Sequence, residues 1–536
     1  MQRLSSFARS LSGGGKTNGT ANSDSIPQNQ TIFQGFEWHL PGPEKPEQPS
    51  HWTLLKQLLP HLSALGVSHI WLPPGCKSTN VHDNGYGIYD LWDLGEFEAK
   101  GSRRTKWGVR KELDDLCKEA NCLGIAVLWD AVLNHKAAAD GKETSNGIKV
   151  DPRDRNRHIS PQKELETWTS FDFPARENQY SNMKYNWKHF SGVDYDSRTK
   201  DHGIFRFVEK GEHGNTEWAQ DVSHELGNYD YLMFADLDHS HPEVRKDIFD
   251  WGTWITSALG LGGMRLDAIK HYSLSFLIDL ISHLDLQNKD LFFVGEYWVA
   301  DSKILQNVLR AFNGRISLFD VQLVYNLSDY SQGRNTDLRR LLEGSLSELD
   351  PQHAVTFVAN HDTQESQSLA APVDEWFVPL AYSLILLRQN CGIPCVFWGD
   401  VFGINGPRPR LPACGGKLAR LIAARKLYAY GAQIDYFDSV DCIGWTRMGH
   451  PSKANGAGLA VIMTNSWDRR TKRMSVGPGH AGQSWRDILG WEDRSVLIDG
   501  KGYGVFPVGH RSVGVWTDER ATGFDKLKEF VFPRVV

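Results

Sequence analysis

Short apolar runs alternating with amphipathic stretches, repeated eight times, constrain this chain more than anything else in it. The strand candidates are Thr31–Trp38, Val67–Leu72, Ile125–Asp130, Gly263–Asp267, Phe292–Glu296, Ile316–Phe319, Val355–Asn360 and Cys395–Trp398. Helical spacing fills the gaps: Trp52, Leu55, Leu59, Leu62 and Leu65 share one face before the stop signal Gly66, and Trp376–Asn390 is apolar throughout most of its length. Repeated strand–helix alternation demands parallel strands, and eight is the number that closes a barrel. An open doubly wound sheet competes. It is disfavoured because no G-x-G-x-x-G follows a strand and because polar residues gather at the ends of several strands. The expected fold is an α/β (β/α)8 TIM barrel.

Two departures from the alternation define the domain plan. Residues 135–240 are too long for a loop in a compact domain and read as a subdomain inserted after the third strand. From residue 431 to 536, short alternating runs separated by Gly, Pro, Asn and Asp predict a C-terminal antiparallel β-sandwich. The barrel is assigned 31–134 and 241–430. Residues 1–30, rich in Ser, Gly, Asn and Thr, read as a disordered tail, with a weak amphipathic transit peptide around Leu4, Phe7 and Leu11 as the alternative.

Composition removes several classes of function. The net charge of −6 without a long basic block argues against nucleic acid as a partner. The longest apolar uncharged stretch, Trp376–Leu387, falls short of the roughly 18 residues of a membrane span. Seven cysteines form no dense disulfide framework; Cys391 and Cys395 read as packing residues. With no secretory signal, the cytoplasm is the expected compartment, and the chain is expected to be a monomer.

The chemistry lies at the strand ends. The third strand leads to Asp130, Asn134 and His135, and the fourth carries Arg265, Asp267, Lys270 and His271. The fifth ends in Glu296, Tyr297 and Trp298, and the seventh in Asn360, His361 and Asp362. Barrel active sites assemble at the C-terminal ends of the strands, so these distant residues become neighbours. A lone carboxylate there is more often a loop cap, and Asp130 could simply hold Arg265; the joint occurrence on three strands outweighs that reading. Arg265 and Asp267, two apart on a strand, share a side, which predicts a lowered pKa for Asp267 and a charged nucleophile. Glu296, beside aromatic residues, should keep its proton as a general acid. Such a pair, roughly 5–5.5 Å apart, is the machinery of retaining glycoside hydrolysis.

The segments DAVLNH, GMRLDAIKH, GEYW and FVANHDTQ resemble the four signature regions of the alpha-amylase family of glycoside hydrolases, in the family's order. QGFEW, GYGIYDLWDLGEF, NYDYLMFADLDHSHP, WFVPLAYSLILLRQN and CVFWGDVFG extend the likeness over roughly residues 31–518, most closely to liquefying bacterial and intracellular fungal members. The resemblance implies Asp267 as nucleophile, Glu296 as acid/base and Asp362 as transition-state stabiliser. It implies that Arg265 orients Asp267, that His135 and His361 hydrogen-bond the sugar, and that Tyr86 stacks on it. Lys270, His271 and Trp298 would line the leaving-group side. The implied activity is endo-acting, retaining hydrolysis of α-1,4-glucosidic bonds in starch, glycogen or maltooligosaccharides, the alternative being an α-glucan transglycosylase.

The resemblance also implies one structural Ca²⁺ held by Asn134, Asp230, Asp236 and the backbone carbonyl of His271, oxygen donors suited to a hard cation. The bacterial relatives add two further cations; here the matching acidic positions fall on Ala219, Ser191 and Ser240, leaving Asp194, Asp196 and Asp238, so no cluster is expected. A non-catalytic barrel is disfavoured because all three carboxylates are present. A metal-dependent barrel hydrolase is disfavoured because QGFEW carries no His-x-His.

Overall fold

The computed structural model describes residues 29–42, 48–208, 217–527 and 529–532. The tail and transit-peptide readings fall almost wholly outside them. Eight parallel strands close into a barrel in sequential order: β1 (Ile32–Gln34), β2 (His69–Trp71), β3 (Ala126–Ala131), β4 (Gly263–Leu266), β5 (Phe292–Gly295), β6 (Ser317–Phe319), β7 (Ala354–Phe357) and β8 (Ile393–Phe397). Every strand candidate of the sequence is one of these. A main helix follows each: α1 (His51–Leu65), α2 (Arg110–Cys122), α3 (Pro242–Leu259), α4 (Leu274–Asp285), α5 (Ser302–Ala311), α6 (Val321–Ser331), α7 (Val378–Leu387) and α8 (Leu418–Tyr428).

Local chemistry sets these boundaries. The Ser50 side chain accepts from the Thr53 N–H and starts α1, while Gly66, at φ 96°, takes the left-handed turn that ends it. Trp52, Leu55, Leu59 and Leu62 then bury the face that meets the barrel. Helix α7 is buried all round, because one side packs on the barrel and the other on the C-terminal strands Leu459–Thr464 and Ser512–Asp518. That double cover explains its uninterrupted apolar sequence. Among the described residues no helix is long and apolar enough to cross a membrane.

The excursion after β3 builds its own antiparallel sheet, with long strands Gly141–Asp151, Lys163–Ser170, Phe190–Asp196 and Asp201–Val208, and with short Ala235–Leu237 lying between Phe190–Asp196 and the edge strand His135–Lys136. The C-terminal region folds as a six-stranded antiparallel sheet faced by the pair Arg470–Ser475 and Tyr503–Val508. Trp485, Phe506 and Trp516 fill the space between them. The fold is thus a (β/α)8 barrel with an inserted β-sheet and a C-terminal β-sandwich. All seven cysteines are free thiols; Cys391 and Cys395 are buried and Cys122 is exposed.

Candidate active site

Parallel register brings the ionisable strand ends together. Arg265 on β4 lies opposite Asp130 on β3, and Asp267 and Glu296 follow immediately after β4 and β5. The Arg265 guanidinium is almost fully buried and divides itself among three carboxylates. Its Nη1 donates to Asp130 Oδ1 at 2.7 Å and Asp267 Oδ1 at 2.5 Å, and its Nη2 donates to Glu296 Oε2. Asp130 is held further by Trp71 Nε1 at 3.0 Å and by the Tyr86 hydroxyl at 2.9 Å. It serves as an anchor for Arg265 beneath the floor.

Above that floor opens a cleft of 370 Å³ whose lining includes Asp267, Glu296 and Asp362 together with Tyr86, His135, Lys270, His271 and Trp298. Asp267 and Glu296 interact directly through their carboxyl groups. Ala268, next to Asp267, sits at φ 49°, an uncommon conformation for a side-chain-bearing residue, and its N–H points to Glu296 Oε2 at 3.4 Å. That turn swings Lys270 and His271 up into the cleft wall. Lys270 Nζ donates to the Trp298 carbonyl at 2.9 Å and to Glu225, while Trp298 Nε1 donates to the Tyr325 hydroxyl at 3.0 Å.

The electrostatics reverse one expectation. Asp267 does not have a lowered pKa; burial pushes it up to about 6, with Arg265 opposing and Asp130 adding to the rise. The sequence shows the guanidinium beside Asp267 but not that the same guanidinium also serves Asp130 and Glu296. A single positive charge shared by three buried carboxylates compensates each only in part. Glu296 is raised by burial, against Arg265 and with the help of Asp267. Asp362 is raised well above the ordinary carboxylate range by burial and then by the charge of Glu296, although 21% of its side chain stays open. The cluster therefore holds more protons near neutrality than three ordinary carboxylates would.

The histidines are neutral. Burial lowers His135 to about 4 and His271 to about 3, and takes His361 well below its usual value. His135 Nε2 contacts the Tyr86 carbonyl at 2.8 Å, and its Nδ1 is buried without a protein partner. His361 lies beneath the cleft with both nitrogens engaged. Gln34 Nε2 approaches Nδ1 at 2.9 Å, and Nε2 meets the Tyr86 hydroxyl at 2.7 Å and Asp362 Oδ2 at 3.1 Å. Tyr86 stacks on His361 at 5.2 Å and on Trp38 at 5.9 Å.

Trp38, Tyr229, Leu232, Met233, Ser368 and Leu369 complete the lining and were not singled out in the sequence. For Trp38, Tyr229, Leu232 and Met233 the signal lay inside QGFEW and NYDYLMFADLDHSHP, segments quoted for likeness without asking which side chains face the cleft; Ser368 and Leu369 lie just past FVANHDTQ, where no motif marked them.

Residues 50–430 match the family model described as alpha amylase, catalytic domain. The chain belongs to the alpha-amylase family. It is 44% identical over 491 residues to the alpha-amylase of Bacillus licheniformis, covering 91% of this chain and 93% of the relative. It is 37% identical to the cytoplasmic alpha-amylase of Escherichia coli (strain K12), covering 92% of this chain and 99% of the relative. The solved alpha-amylase of Geobacillus thermoleovorans complexed with acarbose superposes with a TM-score of 0.59 at 17% identity, over 91% of this chain and 98% of that one, a likeness of fold.

Beside the cleft of this alpha-amylase family member, the residues expected to hold calcium are all buried. Asn134 Nδ2 donates to Asp236 Oδ1 at 2.9 Å, while Asn134 Oδ1 is buried with no protein donor. Asp230 Oδ2 accepts the Ala219 N–H at 3.0 Å, and His271 Nδ1 meets the carbonyl of Tyr229 at 3.0 Å. An orphaned carbonyl-type oxygen next to a buried carboxylate fits a hard cation. At the positions where the bacterial pattern frays, hydroxyls now serve the remaining acids: Ser191 Oγ donates to Asp236 Oδ2, and Ser240 Oγ donates to Asp238 Oδ1 at 2.6 Å. The buried Arg155 guanidinium also faces this region, 4.1 Å from the Tyr229 ring, with its Nη1 donating to the Tyr231 carbonyl. Asp196 is used elsewhere, accepting from Lys163, Thr199 and backbone N–H groups of its own sheet.

Candidate ligand atoms of His189, His241 and Glu243 also lie within 4.8 Å of one another. The hydrogen bonds argue against a metal there. Each ring accepts a backbone N–H at Nδ1, His189 from Asn186 and His241 from Glu243. With Nδ1 accepting, Nε2 is the ring nitrogen left to donate, and His189 Nε2 meets Glu243 Oε2 at 3.0 Å.

Proposed function

We propose that the chain hydrolyses internal α-1,4-glucosidic bonds of starch, glycogen or maltooligosaccharides with retention of configuration, through a covalent glycosyl-enzyme. The observation that carries this reading is the meeting of Asp267, Glu296 and Asp362, from three separate strand ends, on one 370 Å³ cleft. Glu296 protonates the glycosidic oxygen while Asp267 attacks the anomeric carbon through an oxocarbenium-like state. Water deprotonated by Glu296 then releases the product. Asp362 and the ionised Asp267 oppose the positive charge that develops on the ring. The raised Glu296 pKa suits a group that must begin protonated. Asp267 attacks as the carboxylate, which predominates above its pKa of about 6.

In this reading Arg265 positions Asp267 and Glu296, and Tyr86 supplies a flat face to the sugar. His135 borders the sugar from the cleft wall, and Lys270, His271 and Trp298 border the leaving-group side. His361 acts through Tyr86 and Asp362. A neighbouring cavity of 460 Å³, lined in part by Trp168, Tyr195 and Phe234, extends the binding surface toward the inserted sheet. Residues 31–134 and 241–430 form the catalytic barrel, 135–240 the inserted domain and 431–536 the C-terminal domain. The likeness to a relative named as cytoplasmic supports a cytoplasmic setting.

The test is incubation with a graded series of maltooligosaccharides and soluble starch, recording product length and anomeric form. Short α-anomers released from the interior of the chain are expected. β-Anomers would refute retention, and products longer than the substrate would make transglycosylation the main activity.

Asn134, Asp230, Asp236 and the His271 carbonyl would hold one Ca²⁺, whose chemistry is structural: it ties the end of β3 to the inserted sheet. Metal analysis after dialysis is expected to find about one calcium per chain, with a chelator lowering the unfolding temperature. Three cations per chain, or unfolding indifferent to chelator, would overturn this.

A further inference from the structure

We propose that Gln34 is a positioning residue for Asp362: it fixes the proton of the neutral His361 ring on Nε2, so that the ring donates to the Asp362 carboxylate. Gln34 closes β1 and is fully buried. Phe33 before it packs against Trp398 and Phe402. Strand alternation therefore turns Gln34 to the opposite side, where its Nε2 approaches His361 Nδ1 at 2.9 Å. Gln34 Oε1 is buried with no hydrogen-bond partner among the described residues. Either end of the amide on the ring would leave the other end unsatisfied, so the choice between them is made on the far side of the ring. There Nε2 meets the Tyr86 hydroxyl at 2.7 Å and Asp362 Oδ2 at 3.1 Å. The single Tyr86 proton is committed to Asp130 Oδ2 at 2.9 Å, which leaves the phenol oxygen able only to accept. A bare Nε2 would face two acceptors; an Nε2–H meets both. The lone pair then lies on Nδ1, and Gln34 Nε2 is the donor that meets it.

The ring is caged, so its orientation is fixed and only its proton can choose a side. Phe36 lies 4.9 Å from it and Trp71 meets it edge-on at 5.6 Å, while Tyr86 and Trp38 run nearly parallel to it at 5.2 Å and 6.1 Å. Gln34 itself is not among the cleft-lining side chains; it acts through His361. The consequence for catalysis rests on the proposed hydrolysis. Burial and the charge of Glu296 push the Asp362 carboxyl toward its protonated form. A donor on Oδ2 favours the ionised form instead and sets the direction in which the carboxylate faces the cleft. A ring with its proton on Nδ1 would require Asp362 to supply the proton between them. Asp362 would then be neutral where negative charge must oppose the oxocarbenium-like sugar. A histidine held in the wrong tautomer is costly even when the geometry of a site is intact.

The test is ¹⁵N NMR of the full chain labelled at histidine, with His361→Asn identifying the His361 signals, beside the kinetics of Gln34→Glu and Gln34→Met on soluble starch. Wild type is expected to show a protonated Nε2 and a bare Nδ1. Gln34→Glu presents only acceptors to the ring; it is expected to draw the proton to Nδ1 and to lower kcat about 10²-fold, with KM within about twofold. Gln34→Met, of similar length but without a donor, is expected to leave the two tautomers mixed and to lower kcat about tenfold. A protonated Nδ1 in wild type overturns the proposal, as does an unshifted proton in Gln34→Glu or a wild-type kcat in Gln34→Met. Should Gln34→Glu fail to fold, the wild-type spectrum and Gln34→Met decide the matter. Starch left uncut by wild type would sink the hydrolytic reading, while the place of the His361 proton would still be read from the spectrum.

Discussion

Asp267→Asn should eliminate turnover and at the same time make the protein harder to unfold at neutral pH. Glu296→Gln should lower turnover by about 10²–10⁴-fold, the range for loss of a positioned acid/base; Asp267→Asn, which removes the attacking atom, should do at least as much. The stability gain follows from linkage. Asp267 titrates near 6 in the folded chain against 3.8 for an ordinary aspartate. A carboxyl with a raised folded pKa favours folding fully below the unfolded value, and that contribution is lost as pH rises through the folded value. At pH 7 the ionised group therefore opposes folding, by up to about 3 kcal/mol for a shift of about two units. The neutral amide removes that opposition, and Arg265 keeps Asp130 and Glu296 as partners. Thermal unfolding at pH 7.5 and pH 4 checks it: the variant should lead wild type at the higher pH and lose most of the lead at the lower. Near-normal rates on starch in either variant would defeat the catalytic assignment.

Arg265→Met should be the most damaging single change to the fold of the site. It leaves Asp130, Asp267 and Glu296 buried without their shared cation, and breaking a buried ionic network costs about 3–5 kcal/mol. The deficit should depend on pH in a definite sense. Burial already raises all three carboxyls, and Arg265 is the main group opposing that rise. Without it their pKa values climb further, so protonation relieves the variant more than wild type as pH falls from about 7.5 to 5. Unfolding midpoints of the two proteins should converge in acid. A gap that stays constant across that range would mean that lost packing, not uncompensated charge, is responsible. Arg265→Lys should recover little, because a point charge cannot reach three carboxylates as a planar fork does.

Much of the barrel was legible because its strands are buried on both faces and read as continuous apolar runs. Those runs end where Asp267, Glu296 and Asp362 stand, so the site could be located as well. The sheet built by residues 135–237 was not legible as strands. Its inward positions on Lys163–Ser170 include Thr167 and Thr169, both fully buried and bonded to each other at 3.1 Å. Hydroxyls that satisfy one another pack like apolar groups but erase the alternation that marks a strand. The pKa of Asp267 was misjudged for a different reason. Sequence adjacency reveals the pair Arg265–Asp267, whereas the competition from Asp130 and Glu296 exists only once β3, β4 and β5 lie side by side.

The cleft is assembled from two sources that answer to different demands. Its acids stand on barrel strands whose register the whole closed sheet enforces, whereas Tyr229, Leu232 and Met233 come from the excursion between β3 and α3. Substitutions on that side can drift, lengthen or shorten the groove while leaving the bond-breaking atoms where they are. Lineages carrying this architecture are thus free to retune which glucans they digest, and how far along a chain they cut, without reinventing the reaction.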